Sequence, residues 1–196
     1  MRVRFCDKTF IELENTAPLD EYAQMLVAWN GLNLIAKSTE SDIYGWHILD
    51  ALSILPLIEA VRAESNCSIV DFGAGGGVLG VSLSRVGVSG ITLVERSQSK
   101  VSFLKDILKF PSVEFDCVHV SQPILLLARG VSTINKTLEA ANAKIDCAIF
   151  FKAYDVEKEI KEAKRYWKFE YKMYPRMAKP YGKIVLMKNI SHIAQQ

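Results

Sequence analysis

The residues best suited to chemistry are an acid, a group of glycines and a second acid, which follow one another closely along the 196-residue chain. Asp71 ends an apolar run, and five glycines lie between Gly73 and Gly80. Glycine is needed where the backbone takes a positive φ, or where a ligand lies directly against the backbone. Glu95 ends the next apolar run, at about the 20-residue spacing that lets a carboxylate accept hydrogen bonds from ribose hydroxyls. Together these residues predict a nucleoside-containing ligand at a helix N-terminus.

Two cofactors use a glycine loop of this kind. Gly75, Gly77 and Gly80 match the dinucleotide pattern G-x-G-x-x-G. The stretch from Asp71 to Gly77 matches the D-x-G-x-G-x-G pattern of S-adenosylmethionine enzymes. Asp71 would repel the phosphates of a dinucleotide, whereas its carboxylate suits the ammonium and sulfonium groups of S-adenosylmethionine. The sequence therefore favours S-adenosylmethionine. NAD and a glycine turn without a ligand are the alternatives.

The composition predicts one globular domain over residues 1–196. Hydrophobic residues make up 49% of the chain and charged residues 23%, which is enough to bury a full core. No apolar run approaches the roughly 20 residues of a membrane helix, and the start of the chain lacks the core of a signal peptide. We therefore expect a cytoplasmic protein that does not bind membranes. The four cysteines and three histidines show no metal-ligand spacing, so we predict no metal.

The basic residues are concentrated near the end of the chain. The net charge is only +2, but eleven basic and five acidic residues lie between Lys152 and Lys188. Such a stretch indicates an acidic partner such as RNA, and we expect Arg176, Lys179 and Lys183 on a predicted C-terminal hairpin to contact its phosphates. The alternative is a solvated helix face with i,i+4 pairs, for example Glu157 with Lys161. Lys152, which ends a predicted strand, is interpreted as a solvated residue.

Strands and helices alternate after a helical lead over residues 1–66. In the first helix of this lead, one apolar face is formed by Leu19, Tyr22, Met25, Leu26 and Trp29. The alternation predicts a mostly parallel sheet with helices on both faces over residues 67–190. Phe169–Tyr174 and Ile184–Met187 flank two prolines and a glycine, which predicts an antiparallel C-terminal hairpin. The predicted strands are 67–72, 91–95, 113–119, 124–127 and 147–151. The predicted helices after the lead are 79–86, 98–109, 133–143 and 156–167.

Two further residues are candidates for positioning a substrate. Arg129 ends a predicted parallel strand, and ligands of open parallel sheets bind outside the carboxyl ends of the strands. Its guanidinium is suited to a phosphate or a base, with a structural ion pair as the alternative. His47 shares a helix face with Asp50. An acid–base role and an ordinary buried histidine are the two interpretations of His47.

The order of short motifs resembles the glucose-inhibited division protein B family, whose members are bacterial methyltransferases acting on guanine N7 of 16S ribosomal RNA. The resemblance covers about residues 19 to 188, and it rests on the joint order of the motifs. They are Trp29-Asn30, Asn33-Leu34, His47-Ile48-Leu49-Asp50, the glycine loop from Asp71 to Gly80, Leu93-Val94-Glu95, Lys100-Val101-Ser102-Phe103-Leu104 and Ala128-Arg129-Gly130.

The resemblance implies a Rossmann-like class I methyltransferase fold, S-adenosylmethionine as cofactor, and 16S ribosomal RNA or the small ribosomal subunit as partner. It also implies cofactor contacts at Gly73, Val78 and Arg129. The chain departs from the family at Leu79, where the family has proline, and in a shortened segment over residues 119–124 that flanks the adenine in the family. The predicted cofactor-binding residues are Asp71, Gly73, Gly75, Gly77, Val78, Glu95, Val120 and Arg129.

The chemistry implied by the resemblance needs little from side chains. Guanine N7 carries a free lone pair, so no general base is required, and catalysis consists mainly of positioning. We therefore assign no general base and keep His47 and Arg129 as positioning candidates. Two other functions stay open. One is a degenerate member of the family that binds ribosomal RNA without catalysis, which the shortened segment motivates. The other is an NAD-dependent oxidoreductase, for which the chain has little room.

Overall fold

A seven-stranded sheet forms the centre of the computed structural model, which describes residues 1–6, 9–116, 118–119, 123–153, 155–178 and 182–193. Five adjacent strands run parallel, and two antiparallel strands complete one edge. The strands are β3 (Ser68–Phe72), β4 (Ile91–Glu95), β5 (Val113–Phe115), β6 (Ile124–Arg129), β7 (Ile145–Lys152), β8 (Trp167–Pro175) and β9 (Lys183–His192). Across the sheet their order is β5-β4-β3-β6-β7-β9-β8.

The chain reverses its direction of travel across the sheet between β3 and β6. From β3 it proceeds outward to β4 and β5, and it then returns to pair β6 with the other side of β3. In open α/β sheets a ligand crevice lies at such a switch point, outside the carboxyl ends of the strands. The topology therefore places a site where Phe72, Glu95 and Arg129 end their strands.

Alternate residues of β6 enter two separate cores, one on each face of the sheet, as the two-residue period of a strand requires. Leu125 and Leu127 pack with the N-terminal elements and α4 (Val78–Arg85). Leu126 packs with α6 (Ile134–Ala141) and α7 (Val156–Ala163). Both faces are covered, which explains why β6 is an unbroken apolar run.

The N-terminal part is helical, as predicted, but it begins with a small hairpin that the sequence pattern did not reveal. Strands β1 (Arg2–Arg4) and β2 (Phe10–Glu12) pair antiparallel beside the helices. The helices are α1 (Ala17–Ala28), α2 (Leu49–Leu52) and α3 (Leu55–Glu64). Short 3₁₀ turns at Asn30–Leu32 and Lys37–Asp42 and a π-helical turn at Tyr44–Ile48 connect α1 to α2. The division into a lead of residues 1–66 and a sheet of residues 67–190 stays a prediction.

Several predicted elements differ from the structure in length. Strand β5 ends at Phe115 because Asp116 takes a left-handed conformation with φ of 62°, which an extended strand does not allow. The C-terminal hairpin is longer than predicted, and Trp167, expected at the end of a helix, begins β8. The helix over the second crossover consists of α5 (Gln98–Ser102) and a π-helical turn at Phe103–Ile107. No helix within the described ranges is long and apolar enough to span a membrane.

Helix α4 lies so close to the sheet that one of its residues has to be glycine. A Cβ at Gly80 would come within 2.2 Å of the Leu93 side chain and 3.1 Å of the Asp71 carboxylate. The absent side chain lets the Gly80 amide donate a hydrogen bond of 2.8 Å to that carboxylate. This contact sets the position of the helix that the glycine loop enters.

Candidate functional site

The glycine loop joins β3 to α4, and its three positive-φ glycines have different surroundings. Gly73, Gly75 and Gly77 have φ values of 71°, 61° and 83°. A Cβ at Gly73 would lie 2.6 Å from Val131, and one at Gly77 would lie 2.5 Å from Val81, so these two positions are packed. At Gly75 the nearest atom would be a backbone oxygen 4.0 Å away. Of these three, Gly75 is therefore the residue that presents bare backbone to open space.

Glu95 fastens this loop to the end of the neighbouring strand. Its carboxylate accepts hydrogen bonds from the backbone N–H of Gly75 at 2.7 Å and of Ser97 at 2.8 Å. A carboxylate has about four acceptor positions, so it can also accept hydrogen bonds from a ligand. The side chain is mostly buried but lines the cavity described below. The glycine loop and the acid 20 residues on are thus in direct contact, and the ribose contact predicted for Glu95 stays a prediction.

Asp71 lies in the floor of the site and is engaged with the fold. Only 2% of its surface is exposed, and its Oδ2 accepts the hydrogen bond from Gly80 already described. Burial raises the pKa of Asp71 to about 7, although the Gly80 amide and the Arg129 guanidinium act in the opposite direction. The carboxylate still lines the cavity, so a contact with the cofactor stays a prediction.

A cavity of about 1000 Å³ opens at the switch point of the sheet. This volume is at the upper end of the range for small-molecule sites, which is about 300–1000 Å³. Among the described residues that were predicted to bind cofactor, all line it except Gly77, which lies under the loop. Val120 lies outside the described residues. The charged and polar side chains and the open glycine among its lining residues include Lys37, His47, Asp71, Gly75, Glu95, Arg96, Lys100, Asp116, Arg129 and Lys136.

The two positioning candidates, His47 and Arg129, are in direct contact. Arg129 Nη2 lies 2.8 Å from His47 Nδ1 and donates to the backbone oxygen of Trp46 at 2.9 Å. Because arginine has only donors, His47 Nδ1 must be the acceptor and therefore carries no proton. His47 Nε2 then carries the proton and donates to the Thr39 hydroxyl at 2.7 Å, whose own proton goes to the oxygen of Ala36.

These contacts make His47 a neutral residue with no lone pair available for proton transfer. Burial is the first cause that lowers its pKa, to about 4, and the charge of Arg129 is the second. No hydrogen bond joins His47 to Asp50 among the described side chains, although the negative charge of Asp50 acts to raise the pKa of His47. Asp50 instead forms an ion pair with Arg129, whose Nη1 lies 3.3 Å from Asp50 Oδ2, and another with Arg176.

Two predictions about basic residues of the C-terminal stretch are wrong. Arg176 was placed on an RNA-binding surface, but only 7% of it is exposed, and its guanidinium is bonded to Asp50. Lys152 was expected in solvent, but it is mostly buried and lies 2.7 Å from the Glu159 carboxylate. Lys179, also placed on that surface, lies outside the described residues.

One residue that supports the site was missed from the sequence. Tyr22 was assigned only to the apolar face of the first helix. It is fully buried, and its hydroxyl donates to the backbone oxygen of Gly76 at 2.9 Å, which connects α1 to the glycine loop. Burial raises the pKa of Tyr22 above its usual value, so the hydroxyl keeps its proton. A buried tyrosine hydroxyl needs a partner, but the sequence does not name it.

Comparison with known proteins gives the same family from most of the chain. A family model described as GidB, rRNA small subunit methyltransferase G, matches residues 15–185. Ribosomal RNA small subunit methyltransferase G of Rhodopseudomonas palustris strain TIE-1 is 30% identical over 207 residues, covering 92% of this chain and 85% of that protein. The protein of the same name from Bradyrhizobium sp. strain BTAi1 is 30% identical over 197 residues, covering 90% and 86%.

Solved structures support the fold. Magnesium protoporphyrin IX methyltransferase (ChlM) from Synechocystis PCC 6803 with bound SAM has a TM-score of 0.54 at 14% identity, covering 92% of this chain and 99% of that one. A TehB-like SAM-dependent methyltransferase from Corynebacterium glutamicum has a TM-score of 0.50 at 19% identity, covering 89% and 99%. At these identities the likeness concerns the fold, and it confirms the predicted Rossmann-like class I architecture. Because the family model spans most of its length, the chain belongs to the rRNA small subunit methyltransferase G (GidB) family.

Proposed function

We propose that this chain transfers the methyl group of S-adenosylmethionine to N7 of a guanine in 16S ribosomal RNA. The observation that carries the proposal is the cavity at the switch point, found in a chain that belongs to an rRNA methyltransferase family. Membership of that family confirms S-adenosylmethionine, rather than NAD, as the cofactor. Because the substrate is a ribosomal RNA, we place the reaction in the cytoplasm.

The residues of the cavity fit this cofactor. Gly75 leaves room for a ligand against its backbone, since a Cβ there would meet nothing closer than 4.0 Å. Glu95 would accept the ribose hydroxyls with the acceptor positions that the Gly75 and Ser97 amides leave free. Asp71 and Arg129 would face the ammonium and carboxylate of the methionine portion. When bound, S-adenosylmethionine supplies a methyl group already activated on a sulfonium.

The protein's part in the reaction is to position the base and to exclude water. Guanine N7 needs no deprotonation, and His47 has no lone pair free for such a step because Arg129 occupies Nδ1. His47 therefore acts through Arg129, whose guanidinium it orients at the edge of the cavity. Holding N7 in line with the methyl group converts an encounter into an effectively unimolecular step.

Basic residues at the mouth of the cavity suit an RNA substrate. Lys37 and Lys136 line the cavity and are exposed, and Arg96 and Lys100 line it close to Glu95 in the chain. None of these four takes part in the ion pairs that the described residues form. Cations without an internal partner are available to neutralise phosphates. We propose that the RNA backbone, in free 16S RNA or in the small subunit, passes over this mouth.

The Glu95 carboxylate provides a test of the cofactor site. We expect Glu95→Gln to weaken S-adenosylmethionine binding about ten- to hundredfold, because an amide oxygen cannot serve both the backbone amides and the ribose. Isothermal titration calorimetry gives the dissociation constants. Glu64→Gln, which alters an acid paired with Lys188 outside the cavity lining, is the matched control and should bind normally. Equal affinity in wild type and Glu95→Gln would contradict the assignment.

The cations at the mouth give a second test, against the basic C-terminal stretch. RNA affinity falls as salt concentration rises, so the slope of log affinity against log salt is negative. We expect Lys37→Glu/Lys136→Glu to make this slope less steep by roughly 2, because two phosphate contacts are lost. Cofactor affinity should be unchanged. Lys168→Glu/Lys183→Glu, with the same charge change on the C-terminal hairpin, should have the smaller effect on RNA binding. A larger loss of RNA affinity in the hairpin variant would contradict this assignment and would indicate that the C-terminal stretch binds the RNA.

The reaction itself can be mapped on 16S RNA. N7-methylguanine carries a positive charge on its imidazole ring, so borohydride and aniline cut the strand at that nucleotide. We expect RNA from a strain lacking this chain to lose one such cut, and wild-type protein with S-adenosylmethionine to restore it. If the cut persists in that strain, the assigned reaction is wrong. If the protein binds cofactor and RNA but restores no cut on any assembly form, the alternative of a non-catalytic RNA-binding member takes its place.

A further inference from the structure

Asp50 is a fully buried acid whose carboxylate is contacted from two distant parts of the chain. Its Oδ2 accepts from Arg176 Nε at 2.9 Å and from Arg176 Nη2 at 2.8 Å. Its Oδ1 accepts from the backbone N–H of Ala178 at 3.1 Å. Arg129 Nη1 lies 3.3 Å from Oδ2, which is the longest of the contacts that arginine makes to this carboxylate. Arg176 therefore donates two hydrogen bonds to Asp50 Oδ2, and Arg129 makes a longer and weaker contact with the same oxygen.

The surroundings of Arg176 are shaped to hold its side chain in place. Its backbone N–H donates to the oxygen of Gly182 at 3.1 Å, which closes the loop between β8 and β9. A Cβ at Gly182 would lie 2.9 Å from Arg176 Cδ, so glycine makes space for the arginine stem. The guanidinium lies 5.4 Å from the centre of the Phe151 ring. These contacts fix Arg176 behind the wall of the cavity.

The cluster of Asp50, Arg129 and Arg176 carries more positive than negative charge, although the Asp71 carboxyl also acts on Arg129. Two guanidiniums share a single carboxylate, and arginine keeps its proton inside proteins. Burial lowers the pKa of Arg129 only to about 10, so this residue is charged at neutral pH. An uncompensated buried charge is costly unless a partner arrives. Arg129 is the member of the cluster that lines the cavity, so the excess charge is offered to a ligand there.

We propose that Arg176 is a positioning residue for Arg129. By occupying Asp50 Oδ2, it keeps Asp50 from drawing the Arg129 guanidinium away from the cavity, where the charge and the remaining N–H donors of Arg129 bind an anionic group. The inference rests on the proposed function for the identity of that group. It is either the carboxylate of the methionine portion of the cofactor or a phosphate of the RNA. Both present oxygen anions that a guanidinium recognises.

The consequence of removing Arg176 follows from the distances. Without Arg176, Arg129 is the remaining guanidinium near Asp50. Its Nη1 already lies 3.3 Å from Asp50 Oδ2, so a small movement would let it donate two hydrogen bonds to that carboxylate. That pair would neutralise Arg129 and turn it from the cavity. Removing the negative charge of Asp50 as well would release Arg129 again. The proposal thus predicts that a second mutation repairs the first.

The experiment measures S-adenosylmethionine affinity in Arg176→Met and in Arg176→Met/Asp50→Asn, with thermal melting to confirm folding. We expect the affinity for the ligand whose anionic group binds Arg129 to fall about ten- to hundredfold in Arg176→Met. In the double variant most of this lost affinity should return. Lys188→Met is the matched control. Lys188 lies on the same hairpin as Arg176 and pairs with Glu64 at the surface, so this variant should bind as wild type. Arg176→Gln, with and without Asp50→Asn, replaces the methionine variants if those do not fold.

Two arms identify the anion. If it is the cofactor carboxylate, Arg176→Met weakens S-adenosylmethionine and leaves 5′-methylthioadenosine, which lacks that carboxylate, unaffected. If it is an RNA phosphate, Arg176→Met weakens binding of 16S RNA and spares the cofactor. Either result, with repair by Asp50→Asn, supports the proposal. Unchanged affinity for both ligands, or a double variant no better than the single one, overturns it. Failure of wild-type protein to bind S-adenosylmethionine would instead overturn the proposed function.

Discussion

The buried carboxylate of Asp50 is the constraint on which the arrangement of the site depends. A buried charge is tolerated only when groups of opposite charge lie close to it. The partners of Asp50 are Arg129 at the end of β6 and Arg176, which follows β8. Three segments that are far apart in the chain therefore meet at one side chain. The helical lead is held over the sheet at the point where the parallel strands end. The wall of the cavity that carries His47 owes its place to this contact.

Both signs of charge line the cavity, which suits the proposed reaction. Glu95 and Asp116 lie beside β4 and β5, where Arg96 and Lys100 also line the cavity, and Arg129 and Lys136 lie beside β6 and α6. S-adenosylmethionine carries hydroxyls and an ammonium that seek acceptors and a carboxylate that seeks a cation. A target guanine must also be splayed from its stack to reach the methyl group, since the deep groove of A-form RNA is closed to side chains. The cations at the mouth would hold the flanking phosphates.

Local sequence patterns predicted the glycine loop, the parallel strands and the acid at Glu95, because each depends on residues close together in the chain. Contacts between distant residues could not be predicted. Asp50 and Arg176 are 126 positions apart, and the residues next to them in the sequence do not predict that the two side chains form an ion pair. The pattern also treats all glycines alike, although Gly73 is packed and Gly75 is open. Basic residues raised a similar difficulty, since their number indicates RNA but not which of them are buried.

The central claim is that the cavity at the switch point binds a methyl donor and not a dinucleotide. Isothermal titration of the wild-type protein with S-adenosylmethionine, and separately with NAD, tests it without reference to the RNA substrate. We predict saturable heat with S-adenosylmethionine at one ligand per chain and no binding of NAD. Binding of NAD, or binding of neither ligand, would contradict the account.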